Sequence, residues 1–153
     1  MIEVRVNIEV DLPPEEVFEF WSDHSNNPTW QRGMISCTWT SEPPIGVGST
    51  YDQVASFLGR QIVSTFECVE HEPGAMIRMR TTKSTLPLDI TRKVAPTPSG
   101  GTALSAIIRG EPQGVMKLFN PLTRRMVERN VNQDYERLKE LLDERAAAGT
   151  TPP

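Results

Sequence analysis

Apolar and polar positions alternate strictly at the amino end of the chain, where Ile2, Val4, Val6, Ile8 and Val10 are separated by Glu3, Arg5, Asn7 and Glu9. A two-residue period sends successive side chains to opposite faces, so residues 2–10 read as a strand with one buried and one wet face. The period then changes. In DLPPEEVFEFWSD, Val17, Phe20 and Trp21 recur at helical spacing, Pro14 suits a first turn, and Glu15 and Glu16 complement the positive end of a helix dipole. The polar HSNNP that follows supplies cap and turn residues, and Trp30 stands just beyond it.

From residue 33 the two-residue period returns and is interrupted at regular intervals. MISCTWT places Ile35, Cys37 and Trp39 on one face, STYDQVASF places Tyr51, Gln53, Ala55 and Phe57, and QIVSTFECVEH places Ile62, Ser64 and Phe66. MIRMRTT sets Ile77 and Met79 against Arg78 and Arg80. LDITRKV groups Leu88, Ile90 and Val94 with Arg92, and TALSAIIRG groups Leu104, Ala106 and Ile108. SEPPIGVG, a tight turn at Gly59, EPG and PTPSGG break these runs. Evenly spaced strands joined by short Gly/Pro loops predict an antiparallel meander, because parallel strands need long crossovers between them. With the first segment, seven strands are expected.

The last third is helical. Asn120 and Pro121 form an N-cap and N1 pair, and Val127, Val131, Tyr135, Leu138 and Leu142 make a stripe up to about Arg145. Leu122 and Met126 lie off that stripe, toward a cavity mouth or a partner. AAAGTTPP reads as a frayed end, so a domain of residues 1–145 with a flexible tail at 146–153 is expected.

A strand, short helices, six more strands and a long helix suit an α+β fold in which a strongly curved antiparallel sheet is covered by the final helix. The order and spacing of PPEEVFEFWSD, NNPTW, IGVGSTYDQVASFLGRQIVSTFECVEHEPG, SGGTALS and YERLKELL resemble the START-like, helix-grip (SRPBCC) superfamily over about residues 2–142. That superfamily includes the birch-pollen-allergen fold, lipid-transfer START domains and polyketide cyclase/dehydrase-like proteins. The resemblance implies a seven-stranded sheet wrapped around a long carboxy-terminal helix, two short helices between strands 1 and 2, and an internal cavity for a hydrophobic small molecule. It also implies that Trp30 packs against the sheet near one end of that cavity. A Trp in a polar turn must find an apolar partner or stand exposed, so a structural anchor is the preferred role over ligand contact.

Composition narrows the function classes. The chain has 153 residues, 37% of them hydrophobic and 24% charged, enough for one globular domain with a sizeable core. A net charge of −4, with basic residues scattered along the chain, argues against a nucleic-acid partner. No apolar run approaches the roughly 20 residues that span a bilayer, and the alternating amino terminus does not read as a signal peptide. The expectation is a cytoplasmic protein with no integral membrane association, and the sequence is compatible with a homodimer. Cys37 and Cys68 read as buried reduced thiols. His24 and His71 read as solvated, with no ligand at metal spacing near either. Neither a metal nor another cofactor is expected, and no catalytic motif is present.

The candidate site is therefore the lining of the cavity. Trp39, Tyr51, Phe57, Phe66, Met79 and Ile108 could form apolar walls, Tyr51, Gln53, Ser64 and Arg92 could orient a ligand, and Met126 could stand at the mouth. The alternative is that the large apolar residues fill a dry core. Arg92 shares a face with Leu88, Ile90 and Val94. If alternation holds it points inward and needs an acidic partner or ligand; a bulge would turn it to solvent. Three functions fit this lining: binding or transport of a lipid-like or polyketide-like molecule, a polyketide cyclase/dehydrase-like enzyme in which Tyr51 or Arg92 polarises a carbonyl, and a protein-interaction module.

Overall fold

The computed structural model describes residues 1–111 and 121–149. β1 (Ile2–Val10) leads into α1 (Pro14–Trp21) and a 3-10 helix (His24–Thr29), followed by β2 (Met34–Trp39), β3 (Thr50–Phe57), β4 (Arg60–Glu72), β5 (Met76–Lys83), β6 (Leu88–Pro96) and β7 (Thr102–Gly110). α2 (Pro121–Gly149) closes the described chain. The strands form one curved antiparallel sheet in the order β1-β7-β6-β5-β4-β3-β2, which is the helix-grip architecture.

Local chemistry accounts for the elements. α1 has Pro14 in its first turn beside Glu15 and Glu16, and buries Val17, Phe18, Phe20 and Trp21. Asp23 caps the 3-10 helix by accepting from the backbone N–H of Ser25 at 3.1 Å. The β3–β4 hairpin turns on Leu58 and Gly59, whose φ values of 51° and 74° match a two-residue turn with both central residues left-handed. Gly101 allows a close approach, since a Cβ there would stand 2.3 Å from the carbonyl oxygen of Val10.

Alternation decides what faces the core. Ile77 and Met79 are fully buried, while Arg78 and Arg80 point outward, where both pair with Asp89. One expectation fails on β2. Its register shifts between Met34 and Ser36, so Ile35 is 52% exposed and does not share the inward face of Cys37 and Trp39. In its place Met34 packs on the core. Cys37 and Cys68 are buried free thiols, and burial pushes the Cys37 thiol up to about 11.

α2 lies against β1 and buries Tyr135, Leu138 and Leu142. Its second half is tied down by Lys139 Nζ, which donates to the carbonyl oxygen of Glu9 at 2.8 Å, and by Asp143, which accepts from the backbone N–H of Asp11 at 2.8 Å. The helix runs to Gly149, beyond the end expected near Arg145, and Ala146 still packs on the core. The proposed cap at Asn120 and residues 150–153 lie outside the described residues.

Candidate functional site

Arg92 faces inward and is only 2% exposed. Alternation therefore holds along β6, and the bulge that would turn this side chain to solvent does not occur. The neighbour of Arg92 across the β6–β7 ladder is the small Ala106. Its Nη1 donates to the carbonyl oxygen of Trp21 at 2.7 Å and to Asn27 Oδ1 at 3.2 Å. The guanidinium carbon lies 5.5 Å from the ring centroid of Trp21 and 5.4 Å from that of Trp30. One cation thus ties α1 and the 3-10 helix to the middle of the sheet. Charged hydrogen bonds and aromatic faces offset part of the desolvation cost, which is several kcal/mol per ion, but they carry no cancelling charge.

Among the described residues no carboxylate forms an ion pair with Arg92. Asp134, on the facing side of α2, is engaged elsewhere. It pairs with Arg137 one turn along the helix and accepts from the backbone N–H of Arg32 at 3.2 Å. Burial raises the Asp134 carboxyl above its usual value, while Arg32 and Arg137 act in the opposite direction.

Arg92 borders a chamber of about 140 Å³ between β6, β7, the 3-10 helix and α2, whose walls include Asn27, Trp30, Ile90, Ile108 and Tyr135. A wider space of about 490 Å³ adjoins it, bordered by Phe57, Ile62, Ser64, Leu86, Val127, Asn130 and Arg137. Gln31, Met34, Gln53, Leu88, Val131 and Asp134 border both, so the two spaces adjoin and share these walls. A third depression of about 710 Å³ lies on the outer face of the sheet beside Asn7, Glu9, Lys93 and Ser105. Its walls include exposed polar strand positions, which do not select an apolar molecule.

The sequence-derived candidates divide. Gln53, Arg92 and Ile108 border the inner chamber, and Gln53, Phe57 and Ser64 border the wider space. The Ser64 hydroxyl is already engaged with that of Ser84 at 2.7 Å. Trp39, Tyr51, Phe66 and Met79 border neither. Tyr51 stacks on Phe66 at 4.8 Å with an interplanar angle of 2°, and Trp39 Nε1 donates to Asp23 Oδ1 at 2.8 Å. Met126 is partly exposed on α2 and also borders neither space, and Leu122 is exposed. Trp30 is buried edge-on against Tyr135 at 4.9 Å and simultaneously forms a wall of the inner chamber.

His24 requires a correction: it is fully buried, not solvated. It stacks on Tyr51 at 5.0 Å, and its Nδ1 lies 3.0 Å from the carbonyl oxygen of Ser22, which makes Nδ1 the protonated nitrogen. Burial, reinforced by the charge of Arg92, lowers its pKa well below the usual value, so the ring stays neutral. His71 is half-buried and stacks on Phe18 at 6.1 Å, so it too is packed against a ring rather than free in solvent. Among the described residues no group of three His, Cys, Asp or Glu side chains could hold a metal ion.

Comparison with known proteins places this geometry. A segment of 76 residues, 50% of this chain, is 30% identical to the uncharacterised protein Rv2574 of Mycobacterium tuberculosis and covers 44% of that protein. The chain thus spans less than half the length of that curated relative. A START superfamily protein from Mycobacterium smegmatis superposes with a TM-score of 0.71 at 17% identity, over 97% of this chain and 99% of the other. The di-domain ARO/CYC protein BexL of the BE-7585A biosynthetic pathway superposes at 0.68 and 19% identity, over 92% of this chain and 46% of its own. At these identities the two structures establish a shared fold. The family model described as polyketide cyclase / dehydrase and lipid transport matches residues 1–143, nearly the whole chain, and the protein belongs to that family.

Proposed function

We propose that the protein binds or carries a lipid-like or polyketide-like hydrophobic molecule in the space between the sheet and the first half of α2. The observation that carries this reading is that the two spaces adjoin and share Met34, Leu88 and Val131 as walls, with Gln53 and Arg92 among the polar groups able to orient a ligand. Such a lining combines apolar area for affinity with convergent polar atoms for orientation. Membership in a family that spans polyketide cyclases and lipid transport agrees with it.

A cyclase-like activity is the second reading, favoured by the position of Arg92 on the chamber wall, where a guanidinium could polarise a substrate carbonyl. Tyr51 does not join it there: burial raises the phenol far above its usual pKa, and the ring is stacked away from both spaces. Native mass spectrometry of the protein purified from its own host, followed by extraction, tests both readings. A stoichiometric apolar molecule released unchanged supports binding or carriage, and a cyclised product formed from a supplied poly-β-ketone supports the enzyme. A protein that is always empty and takes up no apolar molecule contradicts both.

A further inference from the structure

Two buried donors on residues that wall the inner chamber, the Nε–H of Arg92 and the Nε1–H of Trp30, have no hydrogen-bond acceptor among the described residues, although the Tyr135 hydroxyl also interacts with the Arg92 guanidinium. Arg92 and Trp30 are both 2% exposed. One of these donors belongs to a cation whose only candidate counter-ion among the described residues of that wall, Asp134, is held by Arg137 and by the backbone of Arg32. A buried positive charge beside unfilled donors is a site for negative charge, because a missing acceptor in a low-dielectric interior leaves the donor's desolvation uncompensated.

We propose that the molecule taken up by this cavity is an apolar carboxylate. Its head group occupies the inner chamber and accepts from Arg92 and Trp30, and its apolar part passes Met34, Leu88 and Val131 into the wider space. The volumes agree with that division. A dry cavity of ~150 Å³ holds one benzene, so a chamber of about 140 Å³ accepts a carboxylate with a short piece of its chain but not a whole lipid. Neutral alcohols of the same length fit the walls equally well and lack the charge, which makes them the natural control.

This inference rests on the hydrophobic-cavity reading, and calorimetric titration with decanoate and with 1-decanol at pH 8 separates the two. Decanoate is expected to bind at least tenfold more tightly than decanol, the difference of about 1.4 kcal/mol that distinguishes charged from neutral hydrogen bonding. In Arg92→Gln the ratio of decanoate to decanol affinity is expected to fall to about one, whatever the change in decanol affinity itself. If Arg92→Gln does not fold, Trp30→Phe removes one donor and keeps the ring; a preference reduced about threefold is then expected. Equal binding of the two probes by the wild-type protein would leave the cavity reading standing and overturn the carboxylate assignment. A preference that persists unchanged in these variants would also overturn it. Binding of neither probe would remove both.

Discussion

Beneath the 3-10 helix the inner face of the sheet is filled, whereas beneath the first half of α2 it is hollow. In the filled region His24, Tyr51 and Phe66 stack in series and Met79 is fully buried beside them. In the hollow region Val127, Asn130, Val131 and Asp134 face Gln53, Phe57, Ile62 and Ser64 across about 490 Å³. Both regions use inward positions of the same strands, β3 and β4. The difference therefore lies in what covers the sheet. A helix end pinned by Arg92 and Asn27 brings aromatic rings into contact, while the amino-terminal half of α2 brings mainly half-buried or exposed side chains. An inward-facing aromatic residue marks the sheet's concave side, not the ligand's position.

Truncation in the filled region is the strongest challenge to that contrast. Phe66→Ala is expected to destabilise the protein by about 3–5 kcal/mol in urea unfolding, the range for large-to-small changes in a close-packed core. A loss under about 1 kcal/mol would show that Phe66 already borders empty space. In the hollow region Val131→Trp is expected to lower the affinity of apolar probes at least tenfold while costing less than about 2 kcal/mol of stability. The two substitutions thus exchange their consequences, and similar stability losses in both would erase the distinction.

Buried His24 sharpens it through pH. The folded protein keeps this ring neutral, whereas the unfolded chain protonates it near 6.5. Stability from this group is therefore complete above that value and falls as pH drops below it, at up to about 1.4 kcal/mol per pH unit. Unfolding free energies from urea titrations at pH 7.5 and 5.5 should differ by roughly 1 kcal/mol, and His24→Phe should flatten the slope between them. An unchanged slope in the variant would place the proton elsewhere. The smallest effect is expected at Leu122, 76% exposed on α2, where replacement by Ser should leave stability within about 0.5 kcal/mol.

The sheet and its order were legible because period-two runs and turn residues act locally, and the resemblance to helix-grip proteins joined them into one architecture. Arg92 could be followed from alternation alone, since β6 pairs regularly with both neighbours. Ile35 could not, because one extra residue in β2 reverses its face without changing the composition around it. The burial of His24 is not visible in the sequence, because the 3-10 helix that carries it is polar yet is held against the sheet by Arg92, more than 60 positions away. Which inward side chains border a space depends on where α2 lies across them. For the same reason the sequence does not mark Met34, Leu88 and Val131 as walls shared by both spaces, nor Tyr135 as more than part of the helix's core stripe.

Entry of an apolar molecule beneath the first half of α2 can be followed by an amide-resolved NMR titration with the neutral fluorophore N-phenyl-1-naphthylamine. The largest shifts are expected at residues 31–34, 53–57 and 127–137, with little change at residues 66–68 and 77–79. Shifts concentrated on the outer face around Asn7 and Lys93, or spread through the aromatic stack, would contradict it.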